Sequence, residues 1–196
     1  MKSINGILDE GGQIAGLVPR YKKGLGNVTE LFLGEGGTIL LVQSINSSLR
    51  AIGNYYALHL RLLRRQQQKL LNCKYYTPLP FHKKLLLFPV KSRIPKIKND
   101  SSVAYINYYH VKKMDYPQGK IHLKSGHIIH SLNTPATLRK RYHHASLSAN
   151  NFLEDQEEEK EAQYLYPLSR RDLEPVIKEL GQIKELLTTY LTEKNN

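Results

Sequence analysis

The stretch LRAIGNYYALHLRLLRRQQQKLLN, residues 49–72, mixes many leucines with many basic side chains. Adjacent leucines such as Leu62–Leu63 break the alternation of a strand, whereas a helical rotation of about 100° per residue separates the two classes. The apolar side chains gather on one side: Leu49, Ile52, Tyr56, Leu60, Leu63 and Leu70. The basic ones lie opposite, at Arg50, Arg61, Arg64 and Arg65, with Lys69 near the margin of that side. The stretch therefore predicts one basic amphipathic helix over about residues 47–71, with Ser47 or Ser48 as N-cap.

Short apolar runs on both sides of this helix predict β-strands. Upstream, LFLGEGGTILLV (31–42) favours a β-hairpin around its glycines. Downstream, the run from Leu85 predicts a strand that ends at Pro89, and VAYINYYHVKK (103–113) predicts a strand rich in β-branched and aromatic residues. KIHLKSGHIIHSL (120–132) predicts a second hairpin. The fold class that follows is α+β, with an antiparallel β core.

The last third of the chain predicts helices separated by an acidic linker. Thr134–Pro135 opens a short helix, and the apolar spacing farther on predicts a C-terminal helix over about residues 172–191. Residues 146–163 between them are acidic and poor in apolar side chains, as is typical of a linker. We therefore expect a basic core domain over residues 1–145, the linker, and a C-terminal segment over residues 164–196.

Charge is distributed very unevenly along the 196 residues, which carry +12 overall. Residues 50–145 hold 19 basic residues and two acidic ones, a net charge of +17, whereas residues 146–196 carry a net charge of −5. Ordinary solubilising surfaces intersperse both signs. Because self-repulsion of this size opposes compaction, the central region predicts a polyanionic partner.

Several classes of protein are disfavoured by what the sequence lacks. The single cysteine, Cys73, excludes an intramolecular disulfide and suits a reducing cytoplasm. No signal-peptide run forms before Asp9, and no window approaches the roughly 18 apolar residues of a membrane span. The central region has only Asp100 and Asp115 as acids, too few for a magnesium-dependent nuclease, and no catalytic signature occurs. We therefore expect a cytoplasmic protein that is not an enzyme.

Histidines cluster on the second predicted hairpin, at positions 122, 127 and 130. A zinc site needs three or four converging ligands, but cysteine partners are missing, and Lys120 and Lys124 would repel a cation. We expect no metal and no other cofactor.

Nucleic acid explains the charge better than a membrane surface does. A membrane-binding helix concentrates its charge on one element with Trp or Phe anchors, whereas here strands and loops are basic too and Trp is absent. Three basic clusters are the predicted contact residues. They are Arg50, Arg61, Arg64, Arg65 and Lys69; Lys91, Arg93, Lys96 and Lys98; and Arg139, Lys140 and Arg141. Tyrosines between them, including Tyr75, Tyr76 and Tyr105, suit base stacking or core packing.

Several motifs resemble the ComK family of competence transcription factors. Matching positions are Ser48, Arg50, Gly53 and Tyr56 in SLRAIGNYY; Leu87, Phe88 and Pro89 in LLLFPVKSRIP; and Tyr105, Ile106, His110 and Val111 in AYINYYHVKK. QYLYPLSRRD (163–172) is similar to the family's Leu-Tyr-Pro segment. The resemblance implies a cytoplasmic activator of competence genes that binds A/T-rich double-stranded promoter boxes as a dimer or higher homo-oligomer. It also implies a protease adaptor bound at Tyr164, Leu165, Tyr166 and Pro167.

Two other functions fit the same charge map. An RNA-binding or ribosome-associated protein would also be strongly basic, and preference for A/T-rich duplex DNA over structured RNA distinguishes the two. A structural or adaptor protein could fold its acidic C-terminal part back onto the basic centre.

Overall fold

The computed structural model describes residues 3–165 and 177–185, in which helices and strands are mixed. The elements are α1 (Ile4–Asp9), β1 (Ile14–Lys22), β2 (Gly26–Leu33), β3 (Thr38–Leu41), α2 (Ile45–Tyr55), α3 (Leu60–Leu70), β4 (Leu79–His82), β5 (Leu85–Lys91), β6 (Val103–Asn107), a 3-10 turn (Tyr108–His110), β7 (Val111–Asp115), β8 (Lys120–Leu123), β9 (Ile128–His130) and α4 (Pro135–Leu165). The predicted α+β class is confirmed, and residues 177–185 are helical within the predicted C-terminal helix.

Nine strands of the described chain form two antiparallel sheets. The six-stranded sheet has the order β3-β2-β1-β6-β5-β4, and the three-stranded sheet has the order β7-β8-β9. Both predicted hairpins are present: β2 pairs with β3, and β8 pairs with β9. The large sheet thus brings β1 and β6, which are distant in sequence, together at its centre.

The six-stranded sheet is covered on both faces, which explains the continuous apolar run of β5. Leu85 and Leu87 pack in one core with the helices α1, α2 and α3. Leu86 and Phe88 pack in a second core with the three-stranded sheet and α4. A strand buried on both faces has no reason to alternate apolar with polar residues.

The predicted single helix over 47–71 is divided into α2 and α3, and this is the main correction to the sequence prediction. Ala57 takes a left-handed conformation with φ 54°. The Leu58 amide donates to the Gly53 carbonyl at 2.8 Å, and the Ala57 amide donates to the Asn54 carbonyl at 3.1 Å. These two bonds form a Schellman motif, which ends a helix. A glycine usually occupies the left-handed position. Because an alanine stands there instead, the sequence carries no signal for the end of the helix.

The N-cap of the first helix also differs from the prediction. α2 begins at Ile45, and the Ser44 side chain accepts a hydrogen bond from the Ser47 amide. Ser48 instead lies buried and hydrogen-bonds the Ser44 carbonyl from within the helix. Four serines and asparagines precede the first leucine of the stretch, so several N-cap positions are compatible with the sequence.

Two predicted strands have different limits in the structure. β5 continues through Pro89, which pairs with Tyr105 of β6. On its other side β4 reaches only as far as Leu87, so Pro89 has a single strand neighbour and its missing N–H leaves no ladder bond unmade. The segment predicted as one strand, 103–113, is β6, the 3-10 turn and β7.

The buried amide of Asn107 causes this interruption. Asn107 Oδ1 accepts from the Tyr109 amide at 3.3 Å, which starts the 3-10 turn. Its Nδ2 donates to the carbonyls of Ile14 and Lys84 at 2.8 and 2.9 Å. One side chain thereby fixes the point at which the chain leaves the large sheet.

The helix that begins at Pro135 is 31 residues long instead of short, and its backbone continues through the predicted linker. Ala145, Ser148 and Ala149 are buried, at the i, i+3, i+4 spacing of one helix face. The second core, to which α4 contributes, therefore continues past residue 145. The chain divides into two compact units, Met1–Leu153 and Glu154–Asn196.

Candidate nucleic-acid interface

α3 presents most of its basic side chains to solvent. Of its 11 residues only Leu63 and Gln67 are buried. Gln67 Oε1 accepts a 2.7 Å hydrogen bond from the Ser148 hydroxyl of α4, which fixes α3 against that helix. The remaining surface carries three exposed basic residues and one half-buried one: Arg61, Arg65 and Lys69, and Arg64.

Where α2 meets α3, a cavity of about 340 Å³ opens, which we call the junction cavity. Its lining residues are Arg50, Asn54, Leu58, His59, Leu60, Arg61 and Arg64. His59 is the N-cap of α3 but makes no side-chain capping bond. The free amides at the start of a helix carry partial positive charge, which adds to that of the three arginines. The chemistry of the junction cavity suits an anion.

Arg64 also lines a second cavity of about 460 Å³, which we call the tyrosine cavity. Its other lining residues are Gln68, Tyr75, Tyr76, Thr77 and Tyr105. Burial raises the pKa of Tyr105, against the opposing effects of a hydrogen bond and positive charge from Arg64. The Tyr105 hydroxyl therefore stays protonated near neutral pH. Gln68 Nε2 donates to the Lys74 carbonyl at 2.7 Å, which holds the segment after α3 against that helix.

A third cavity of about 360 Å³, the basic cavity, lies between this segment and α4. It is lined by Asn72, Cys73, Lys74, Tyr75, Tyr76, Thr137, Lys140, Arg141 and His144. The Arg141 guanidinium carbon lies 4.2 Å from the centre of the Tyr76 ring, and Arg141 Nη1 donates to the Tyr76 carbonyl at 3.2 Å. This pair connects α4 to the segment that follows α3.

Ionisation in the basic cavity follows from burial and from its excess of positive charge. Burial lowers the pKa of Arg141, and the neighbouring Tyr76 and Tyr105 partly offset this effect. Burial also lowers the pKa of His144, as do the adjacent charges, Lys140 first among them. His144 is therefore neutral at pH 7, whereas a guanidinium keeps its charge in proteins.

The three cavities adjoin one another through shared side chains. Arg64 lines the junction and tyrosine cavities, and Tyr75 and Tyr76 line the tyrosine and basic cavities. None of the described residues that line them is Asp or Glu. The structure thus brings together residues from the first and third predicted clusters, which are far apart in sequence.

The third cluster is divided by the geometry of α4. Lys140 and Arg141 line the basic cavity. Arg139, two positions before Arg141, lies with its guanidinium carbon 5.2 Å from the centre of the Tyr116 ring. Residues two apart on a helix point in nearly opposite directions, so Arg139 does not join the same cavity.

The second cluster lies at the end of β5 and on the loop that leads to β6, and its members differ in what they contact. Arg93 is held in place: Nη2 donates to Asn27 Oδ1 and Nε donates to the Ser101 carbonyl, both at 2.8 Å. Its guanidinium carbon also lies 4.1 Å from the centre of the Tyr21 ring. Arg93 therefore orders the loop. The exposed basic side chains there are Lys91, Lys96 and Lys98.

The predicted adaptor-binding segment lies mostly outside the described residues. Tyr164 and Leu165 end the helical backbone of α4. Tyr166 and Pro167 fall outside the described ranges.

Among the polar residues of these cavities that the predicted clusters lack are Gln68, Lys74 and His144. For two of them a helical signal exists. Gln68 is four residues after Arg64 and His144 is three after Arg141, spacings that place each pair on one helix face. Lys74 follows the end of α3, and only the tertiary structure brings it to α4.

Comparisons with protein-family models, with curated proteins and with solved structures find no match to this chain. Within the ranges that the structure covers, no helix is both long and apolar enough to cross a bilayer. The same ranges contain no group of three His, Cys, Asp or Glu residues that could hold a metal ion.

Proposed function

We propose that this chain is a DNA-binding transcription activator of the ComK type, which binds A/T-rich promoter sites in double-stranded DNA and promotes competence genes. It acts in the cytoplasm as a dimer or higher homo-oligomer. The C-terminal segment around Tyr164 to Pro167 serves as the docking site for a protease adaptor.

The observation that carries the DNA-binding part is the row of three adjoining cavities, whose described lining residues include several basic side chains and neither Asp nor Glu. Lys and Arg neutralise phosphates and release the counterions of DNA, and this term dominates non-specific affinity. The row extends from the α2–α3 junction, at Arg50 and Arg61, to Lys140 on α4. A surface of this kind follows a phosphate backbone better than it fits a single small anion.

A preference for A/T-rich DNA would come from groove shape. A/T tracts have a narrow minor groove whose negative potential attracts arginine side chains. Arg61 and Arg65 are exposed one helical turn apart on α3, so both can approach the same stretch of backbone or groove. No full base-reading code is required for such a preference.

The test is fluorescence-anisotropy titration of the full chain with an A/T-box duplex, a G/C-rich duplex and an RNA hairpin of equal length, over a salt series. We expect the A/T duplex to bind most tightly. In a plot of the logarithm of the binding constant against that of the salt concentration, each phosphate contacted should contribute about −0.9 to the slope. Equal affinity for both duplexes would contradict the activator. Preference for the hairpin would favour the RNA-binding function, and a flat salt slope would contradict nucleic-acid binding altogether.

A further inference from the structure

Tyr75 and Tyr76 lie between the tyrosine cavity and the basic cavity and line both. Both are exposed to a degree unusual for aromatic residues, 72% for Tyr75 and 53% for Tyr76. Two cavities of about 360 and 460 Å³ on either side of them are each in the size range of small-ligand sites. Packing of the core does not account for two tyrosines in this position.

The backbone of Tyr76 is held in an unfavourable conformation. Its φ of 61° is left-handed, where a bulky side chain is rare and strained. The hydrogen bond from Arg141 to the Tyr76 carbonyl, at 3.2 Å, helps to hold it there. Strain of this kind persists only where the surroundings enforce it, and it is concentrated at ligand-binding sites.

The two cavities differ in chemistry. The basic cavity contains Lys74, Lys140 and Arg141, and Arg141 Nε has no hydrogen-bond acceptor among the described residues. A phosphate offers acceptors to all of these groups. The tyrosine cavity is bounded by three tyrosine rings, with Arg64, Gln68 and Thr77 as polar groups, which suits a flat heterocycle that stacks and forms a few hydrogen bonds.

We propose that the two cavities together bind one unpaired nucleotide, with its phosphate in the basic cavity and its base stacked on Tyr76 in the tyrosine cavity. This inference rests on the proposed nucleic-acid binding and deepens it. A base within an intact duplex cannot enter the tyrosine cavity, so the nucleotide is an extrahelical one, one in a single strand, or a free mononucleotide. Extrusion is easiest where pairing is already interrupted.

The first measurement compares an intact duplex with the same duplex carrying one extrahelical thymidine, by anisotropy with the full chain. Stacking on an aromatic side chain is worth enough that the bulged duplex should bind about tenfold more tightly. Tyr76→Ala should abolish this difference, whereas Tyr76→Phe should keep it. The matched control is Tyr55→Ala, which removes another exposed tyrosine that lines none of the three cavities.

The second measurement, alkylation of Cys73, uses the unmodified chain and requires no variant. Cys73 is the only cysteine of the chain and lines the basic cavity, so its alkylation by neutral iodoacetamide reports on occupancy. A single-stranded oligonucleotide or the bulged duplex should slow this alkylation several-fold more than the intact duplex does, because the backbone of the intact duplex passes the basic cavity without placing a nucleotide in it. Thymidine monophosphate alone and inorganic phosphate alone are added in separate arms. Protection by the mononucleotide at the concentration at which the oligonucleotide protects identifies a free nucleotide as the ligand.

The outcomes separate this inference from the proposed function. If intact and bulged duplexes bind equally and slow the alkylation of Cys73 equally, and neither the oligonucleotide nor the mononucleotide slows it further, the nucleotide site is wrong while duplex binding stands. Protection by inorganic phosphate as strong as that by the nucleotide also overturns it, since the base then contributes nothing. If no nucleic acid binds at any salt concentration, the proposed function fails first.

Discussion

α2 and α3 follow each other directly in sequence and share one amphipathic pattern, yet they differ in what they bury. α2 buries five of its 11 residues, and its three large apolar side chains among them, Ile45, Leu49 and Ile52, have no more than 1% of their surface exposed. α3 buries only Leu63 and Gln67. The first helix therefore stabilises the core, whereas the second is fixed by only two buried residues and exposes its basic side chains to solvent. One hydrophobic pattern thus serves two different roles once the chain turns at Ala57.

The largest expected effect is on stability and falls on α2. Leu49 is fully buried, so Leu49→Ala removes packed atoms and leaves a cavity, which should lower the free energy of unfolding by about 2–5 kcal/mol. The matched substitution on α3 is Leu62→Ala, at a side chain 56% exposed, which should change it by less than about 0.5 kcal/mol. Urea unfolding followed by circular dichroism measures both. Equal losses would mean that the two helices are buried alike.

The next effect is on binding and falls on α3. Arg61→Glu/Arg65→Glu reverses two exposed charges, and DNA affinity should fall by roughly 100-fold at physiological salt as two phosphate contacts turn repulsive. The log–log salt slope should become shallower by about 1.8. Stability should not change, because Glu and Arg have similar helix propensities. The control reverses Lys22 and Lys23, two exposed lysines at the β1–β2 turn. If both double variants lose affinity equally, binding follows net charge and not the α3 surface.

A smaller effect is expected at the turn between the two helices. A Cβ added at Gly53 would lie 2.9 Å from the Leu58 carbonyl oxygen, a backbone atom that cannot rotate away. Gly53→Ala should therefore lower the free energy of unfolding by about 1–3 kcal/mol, although alanine favours a helix. At Gly181, in the helical residues 177–185, an added Cβ meets nothing within 4 Å, so Gly181→Ala should not destabilise. If Gly53→Ala is neutral or stabilising, the close contact between Gly53 and the Leu58 carbonyl is contradicted.

The fold was predictable wherever a local pattern decides it. The glycines between Leu33 and Thr38 mark a real hairpin, and the apolar spacing of the basic stretch is helical in both α2 and α3. The helix end at Ala57 carried no such mark, because neither Gly nor Pro stands there. Nothing in the sequence around Asn107 likewise indicates that a strand ends there. Its role depends on Ile14 and Lys84, which only the sheet topology brings to it.

The sequence predicts the positive charge of the candidate site but not its position in the fold. An excess of basic residues in the central region needs no structure to recognise. Which of them converge depends on contacts such as that between Tyr76 and Arg141, 65 residues apart, and the one between Gln67 and Ser148, 81 apart. Another long-range contact, the hydrogen bond from Arg93 to Asn27, distinguishes Arg93, which orders a loop, from the basic residues that remain exposed. Pairings of this kind leave no periodic signal in the sequence.

The smallest effect decides most directly between one helix and two. At the left-handed position of Ala57, a Cβ costs about 1–2 kcal/mol, and glycine regains part of this after about 0.5–1 kcal/mol of added chain entropy, so Ala57→Gly should stabilise by about 0.5–1 kcal/mol. In a continuous helix the same substitution would instead destabilise by about 1 kcal/mol. Asn72, which ends α3 at φ 44°, is the control: asparagine already tolerates that conformation, so Asn72→Gly should change stability by less than about 0.5 kcal/mol. The sign of the shift in the urea midpoint for Ala57→Gly therefore tests the turn itself. A destabilised variant would restore the uninterrupted helix and remove the distinction between an anchoring α2 and a charge-presenting α3.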